Sequence, residues 1–120
     1  MSKKYIGDVV SFVRSEIEPT IETVNNPDLL SGEYEQKTWM HYEDAEREFY
    51  SGVWEAESFR EVITTTENNE FCHIISGVVR LTDGDGKSQD YKAGDSFIIP
   101  AGFEGVWENV GTVKKLFVVS

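Results

Sequence analysis

Val78-Val-Arg-Leu-Thr-Asp-Gly-Asp-Gly-Lys-Ser-Gln-Asp-Tyr-Lys-Ala-Gly-Asp-Ser-Phe-Ile-Ile-Pro100 holds three short runs rich in β-branched and aromatic residues, at 78–83, 89–92 and 95–99. Between the first two lies Asp83-Gly84-Asp85-Gly86. Asp-Gly readily supplies the positive φ angles of a primed turn, so this segment predicts a β-hairpin. Gly94-Asp95 marks a second turn. Short strands closed by tight glycine turns are the grammar of an antiparallel sheet.

The same pattern continues on both sides. Upstream, 53–58, 60–66 and 70–76 read as strands, and downstream so do 105–109 and 113–119. Eight short strands in so little chain, with helix admitted only before them, predict an all-β barrel or jelly roll. The first fifty residues are polar and acid-rich, with turn signals at Asn25-Asn26-Pro27-Asp28 and Ser31-Gly32. They are read as an irregular N-terminal arm (1–50) that packs on the barrel (51–120) or on a partner subunit. Within the arm, Val9, Val10, Phe12, Val13 and Ile17 recur at near-helical spacing and predict a short amphipathic helix or strand. The run Glu43-Asp44-Ala45-Glu46-Arg47-Glu48 reads as a solvated segment.

At 120 residues the chain suits one domain. Its 22 acidic and 11 basic residues leave a formal charge of −11, a field that repels phosphate backbones and anionic lipid. Nucleic acid and membrane are therefore not expected as partners. The start Met1-Ser-Lys-Lys-Tyr5 leads into a mixed polar stretch rather than an apolar run, and the single cysteine, Cys72, fits a reducing compartment. The expectation is a soluble, cytoplasmic protein.

Five stretches carry a family resemblance. They are Gly52-Val-Trp54-Glu-Ala, Glu70-Phe-Cys-His-Ile-Ile-Ser-Gly77, Leu81-Thr-Asp-Gly-Asp-Gly86, Ala93-Gly-Asp-Ser-Phe-Ile-Ile-Pro-Ala-Gly-Phe-Glu-Gly-Val-Trp-Glu108 and Val113-Lys-Lys-Leu-Phe-Val-Val119. In order and spacing they resemble the cupin superfamily, and more narrowly the small cupins similar to (S)-ureidoglycine aminohydrolase. The resemblance implies a cupin jelly-roll β-barrel. It also implies, in relatives that release ammonia from a ureide, a manganese ion held inside the barrel. Here the corresponding positions are Thr64, Thr66, Glu70 and Gly105. Metal sites are built from imidazole, thiolate and carboxylate, and of these four only Glu70 offers a ligand. No resident metal is expected, beyond a weakly bound manganese or other hard divalent cation at Glu70.

Strand alternation assigns the remaining candidates. If Glu70 faces inward, so do Cys72 and Ile74, and His73 faces out. An inward carboxylate among apolar neighbours must be paired or protonated. Thr64 and Thr66 are candidate hydroxyl donors to it, and the resemblance favours Lys115, rather than Lys114, as its cation. Trp54, Tyr91 and Trp107 are candidates for the cavity wall, as core filling or as stacking surfaces for a ligand. Gly105, in a position where other cupins place an imidazole, is expected to leave the cavity larger and wetter. Cys72 reads as a small buried apolar group, and His41 as a surface group of the arm.

Three functions are compatible with these residues. The first is a metal-free protein binding a small polar organic molecule through Trp54, Thr64, Thr66, Glu70, Tyr91, Trp107 and Lys115. The second is a ureide or amidine hydrolase with Glu70 as general acid or base. The third is a structural or regulatory homodimer joined through its sheets.

Overall fold

The computed structural model describes residues 2–13, 16–65 and 67–120. Eight strands form the chain: β1 (Thr20–Val24), β2 (Tyr34–Asp44), β3 (Phe49–Ala56), β4 (Phe59–Thr64), β5 (Glu70–Asp83), β6 (Ser88–Lys92), β7 (Ser96–Ile99) and β8 (Glu104–Val119). Every strand pair is antiparallel. The architecture is the all-β jelly roll that the turn pattern predicts.

β5 and β8 are its spine. They pair along nearly their whole lengths, from Glu70 opposite Val119 to Asp83 opposite Gly105. Each changes neighbour midway. The first half of β5 pairs with β7 and its second half with β6, while β8 pairs first with β4 and then with β3. One layer is therefore β1-β2-β3-β8-β5-β7 and the other β4-β8-β5-β6, with the core between them.

The sequence divides these two strands into four. The structure instead runs through the expected breaks, because glycines with positive φ at Gly77 (89°) and Gly111 (81°) let the backbone bend without ending the pairing. The register shifts between Ile74 and Val78. Its consequence is a change of parity: Cys72 and Ile74 are fully buried before the bulge, and Val79 is fully buried after it. One strand thus presents its apolar residues to the same core on both sides of a bend.

Among the described residues before β1 the arm is irregular apart from a 3-10 turn at Ile6–Asp8. It then supplies β1 and β2, which extend the sheet outward from β3. Among the described residues, the expected helix or strand over Val9–Ile17 does not form. Val9 and Val13 stand largely in solvent, and Phe12 stacks on His41 at 4.2 Å between ring centroids. The acidic run at 43–48 is the β2–β3 hairpin turn, closed by Arg47 on Asp44 at 2.9 Å. No helix of the described residues is long and apolar enough to cross a membrane.

Candidate functional site

β8 alternates inward at Trp107, Asn109, Val113, Lys115 and Phe117, all of them buried. Register with β3 sets Trp54 opposite Lys115, and register with β4 sets Glu61 opposite Trp107 and Ile63 opposite Gly105. The inward faces of β3, β4, β5 and β8, with Tyr34 and Gln36 from β2, wall a cavity of about 350 Å³.

Glu70 and Lys115 meet inside it. Lys115 Nζ donates to Glu70 Oε2 at 2.7 Å, and Cys72 Sγ donates to the same oxygen at 3.1 Å. The ammonium also lies 4.7 Å from the Trp54 ring centroid and 4.2 Å from that of Trp107. Such a seat, between two indole faces and a carboxylate, replaces the hydration that burial removes. Burial pushes the Glu70 carboxyl up, but the Lys115 charge and the two hydrogen bonds outweigh it and hold it below its ordinary value. Burial likewise opposes the Lys115 ammonium, and the Glu70 charge reverses the balance upward. The pair is ionised at neutral pH, so Glu70 enters any chemistry as a carboxylate and not as a proton donor. Desolvation pushes the Cys72 thiol up to about 12, which leaves no thiolate nucleophile.

The walls are aromatic and anchored. Trp54 Nε1 donates to Gln36 Oε1 at 2.9 Å, and Trp107 Nε1 donates to Asn109 Oδ1 at 2.8 Å. Asn109 in turn donates to the Ala56 and Glu57 carbonyls at 3.2 and 3.1 Å. Tyr34 and Phe59 stack at 3.8 Å. Both indoles are therefore held in place by side chains that are themselves fixed.

Of the residues singled out by sequence, Trp54, Thr64, Glu70, Trp107 and Lys115 all border this cavity. Thr66 lies outside the described residues. Thr64 needs a correction: it is exposed at the end of β4, and no hydrogen bond joins it to Glu70 among the described residues. The inward set of β4 is Phe59, Glu61 and Ile63, the opposite parity. Tyr91 also departs from expectation. It stacks on Phe97 at 4.1 Å and borders a separate groove with Leu81 and Phe103, because β6 pairs with the far half of β5.

Gly105 leaves no hole. A Cβ there would strike the Thr82 carbonyl oxygen and come within 2.9 Å of the Phe103 ring, so the glycine serves the close approach of β8 to β5. Tyr34, Gln36, Phe59, Glu61 and Ile63 escaped the sequence reading. The alternation Phe59-Glu61-Ile63 was the available signal for three of them.

Of Thr64, Glu70 and Gly105, only Glu70 carries a carboxylate, and it already binds an ammonium, which would repel a second cation. His73 Nδ1 contacts Ser96 Oγ at 2.7 Å on the outer side of the sheet, and His41 lies under Phe12. No three His, Cys, Asp or Glu side chains converge on one point among the described residues.

Comparison with known proteins agrees with this architecture. Solved structures align with high similarity of fold and low similarity of sequence. A protein of unknown function from Pseudomonas syringae pv. tomato gives a TM-score of 0.77 at 20% identity, over 89% of this chain and 45% of that one. A predicted oxalate decarboxylase from Thermotoga maritima gives 0.66 at 23% identity, over 92% and 96%. The EutQ protein of Clostridium difficile gives 0.63 at 17% identity, over 72% and 62%. The chain thus spans less than two thirds of two of these three. No curated protein matches it. The family model for the EutQ-like cupin domain matches residues 43–117, a stretch that runs from the end of β2 through most of β8 and takes in Trp54, Glu70, Trp107 and Lys115. By that match over more than half its length, the chain belongs to the EutQ-like cupin domain family.

Proposed function

We propose that this cupin is a binding protein for a small polar organic molecule, held in the cavity between β3, β4, β5 and β8. One observation carries the reading: aromatic walls and a few polar groups converge on a cavity of about 350 Å³, the size and composition of small-ligand sites. The resemblance to ureidoglycine aminohydrolase-like cupins adds ureides to the candidate ligands. A hydrolase reading has less support, because Glu70 Oε2 is already held by Lys115 and Cys72, which leaves only Oε1 for a general base.

Thermal-shift screening of the full chain against amines, ureides, amino acids and sugars tests the reading. At least one class should raise the melting temperature, since a ligand at a hundred times its Kd adds about 2.7 kcal/mol to stability. Trp54→Ala should abolish that shift by removing one wall. Absence of any stabiliser across the panel would count against a binding role.

A homodimer is the second reading, favoured by the outer face of β5 and β7. Phe71 and Ile98 pair there in register, and with Ile75 they leave an apolar strip 40 to 63% exposed. Sedimentation velocity should show a dimer, and Phe71→Lys a monomer with an unchanged circular-dichroism spectrum and a melting temperature that no longer depends on protein concentration. A wild-type monomer at the highest attainable concentration would remove this reading.

A further inference from the structure

The polar groups of the cavity divide into those already satisfied and those still open, and the division has a sign. The nitrogen donors of the lining are engaged. Lys115 is bound to Glu70 and faced by two indoles, and the Trp54 and Trp107 indole N–H groups donate to Gln36 and Asn109. Gln36 Nε2 donates to Glu22 at 3.3 Å, and the Thr65 hydroxyl donates to the Pro100 carbonyl at 2.8 Å.

The acceptors are not filled. Glu70 uses Oε2 for both Lys115 and Cys72, and among the described residues its Oε1 has no partner. Glu61 receives a single long contact, from Asn26 at 3.3 Å. Burial and then the Glu61 charge keep the Tyr34 hydroxyl protonated, so it can accept from a ligand as well as donate to one. Two carboxylates against one lysine also leave the lining with a net charge of −1.

From this imbalance we infer that the cavity takes a small organic cation, a primary ammonium, amidinium or guanidinium head on a short apolar tail. The inference rests on the binding role proposed above and narrows it to a ligand class. Such a head has only donors to offer, which matches the two under-filled carboxylates of the lining. Its tail and its charge both suit the ring faces of Trp54, Phe59 and Tyr34. A carboxylate would meet the like charges of Glu61 and Glu70 in a lining whose net charge is already −1, so anions and zwitterions whose carboxylate must enter the cavity should bind worst. A neutral urea or alcohol would fill some of the acceptors without answering the charge.

NMR titration of the full-length chain with n-butylamine, n-butylguanidine, n-butylurea, n-butanol and butyrate near neutral pH holds the tail fixed and varies the head. The two cations should shift resonances of Trp54, Glu61 and Glu70, and bind about tenfold or more tightly than the urea and the alcohol. Butyrate should not bind. Glu61→Gln, which keeps the side chain's size and its hydrogen bond to Asn26 and leaves the Glu70–Lys115 pair intact, should weaken the cations about tenfold and leave the neutral probes unmoved.

Preference for butylurea, butanol or butyrate would overturn the cationic class while leaving the cavity a binding site. Cation binding unaffected by Glu61→Gln would overturn it equally. If none of the five probes binds, the inference falls, and the broader thermal-shift panel then decides whether the binding role falls with it.

Discussion

Lys115→Met should destabilise the folded chain by about 3–5 kcal/mol at neutral pH, the usual consequence of leaving one member of a buried pair without its partner. The loss arises at Glu70, whose charged Oε2 would keep only the weak Cys72 donor. The double variant Glu70→Met with Lys115→Met removes both charges and should recover to within about 1 kcal/mol of the wild type, since apolar replacement of a buried pair is often neutral.

The pH dependence gives the same argument a second readout. In the wild type the Glu70 carboxyl is held below its ordinary 4.5, so its contribution is present above that value and lost as pH falls through the lower, folded one. Lys115 is held above its ordinary 10.5, so its contribution is present below 10.5 and lost as pH rises through the higher, folded value. The pair therefore supports a plateau between those limits. In Lys115→Met burial outweighs the one remaining hydrogen bond, from Cys72, and raises the Glu70 carboxyl, so the variant should grow less stable as pH rises from 4.5 to that value, where the wild-type pair contributes no slope. Urea unfolding across pH measures both curves. Parallel curves, or a neutral-pH loss under about 1 kcal/mol, would show that the pair does not support the cavity.

What the sequence disclosed about this chain follows from how local each signal is. The Asp83–Gly86 turn is local chemistry, and it closes β5 on β6 as expected, with Gly86 at a φ of 82°. Lys115 lies inward and Lys114 sits outside over Trp39, as an alternating strand requires. β1 and β2 were hidden because they lie at the rim, where few positions meet the core. Among the residues of β2 only Tyr34 is buried, and the rest mix charged, polar and aromatic residues without a clean alternation.

The site shows the same division. Glu70, Trp54 and Trp107 lie on strands with clear alternation. On β4 the alignment with a ligand motif drew notice to Thr64, at the strand's exposed end, although Phe59 and Ile63 already marked the apolar side. Tyr34 and Gln36 reach the cavity only through pairing across β2 and β3, a contact between distant residues that no local pattern encodes.

Gly77→Ala should cost about 3–4 kcal/mol, among the largest losses from a single methyl group in this chain. Two effects add at that position. A φ of 89° costs an L-residue about 1–2 kcal/mol, and the new Cβ would collide with the Thr112 carbonyl oxygen and lie 2.9 Å from Val113 Cα. Neither neighbour can step aside, because both belong to the strand that pairs with β5. Gly111→Ala separates the two effects. Its φ is 81°, but a Cβ there meets nothing within 4 Å, so it should lose only the conformational part, about 1–2 kcal/mol. Equal losses in the two variants, measured by chemical denaturation, would mean that close approach is not what requires Gly77. Unequal losses would place the requirement at the point where β5 shifts register and turns Val79 toward the core that holds Cys72 and Ile74. That bend makes the two layers, and the cavity depends on it, because Glu70 lies on one side of the bulge while the strand continues into the other layer.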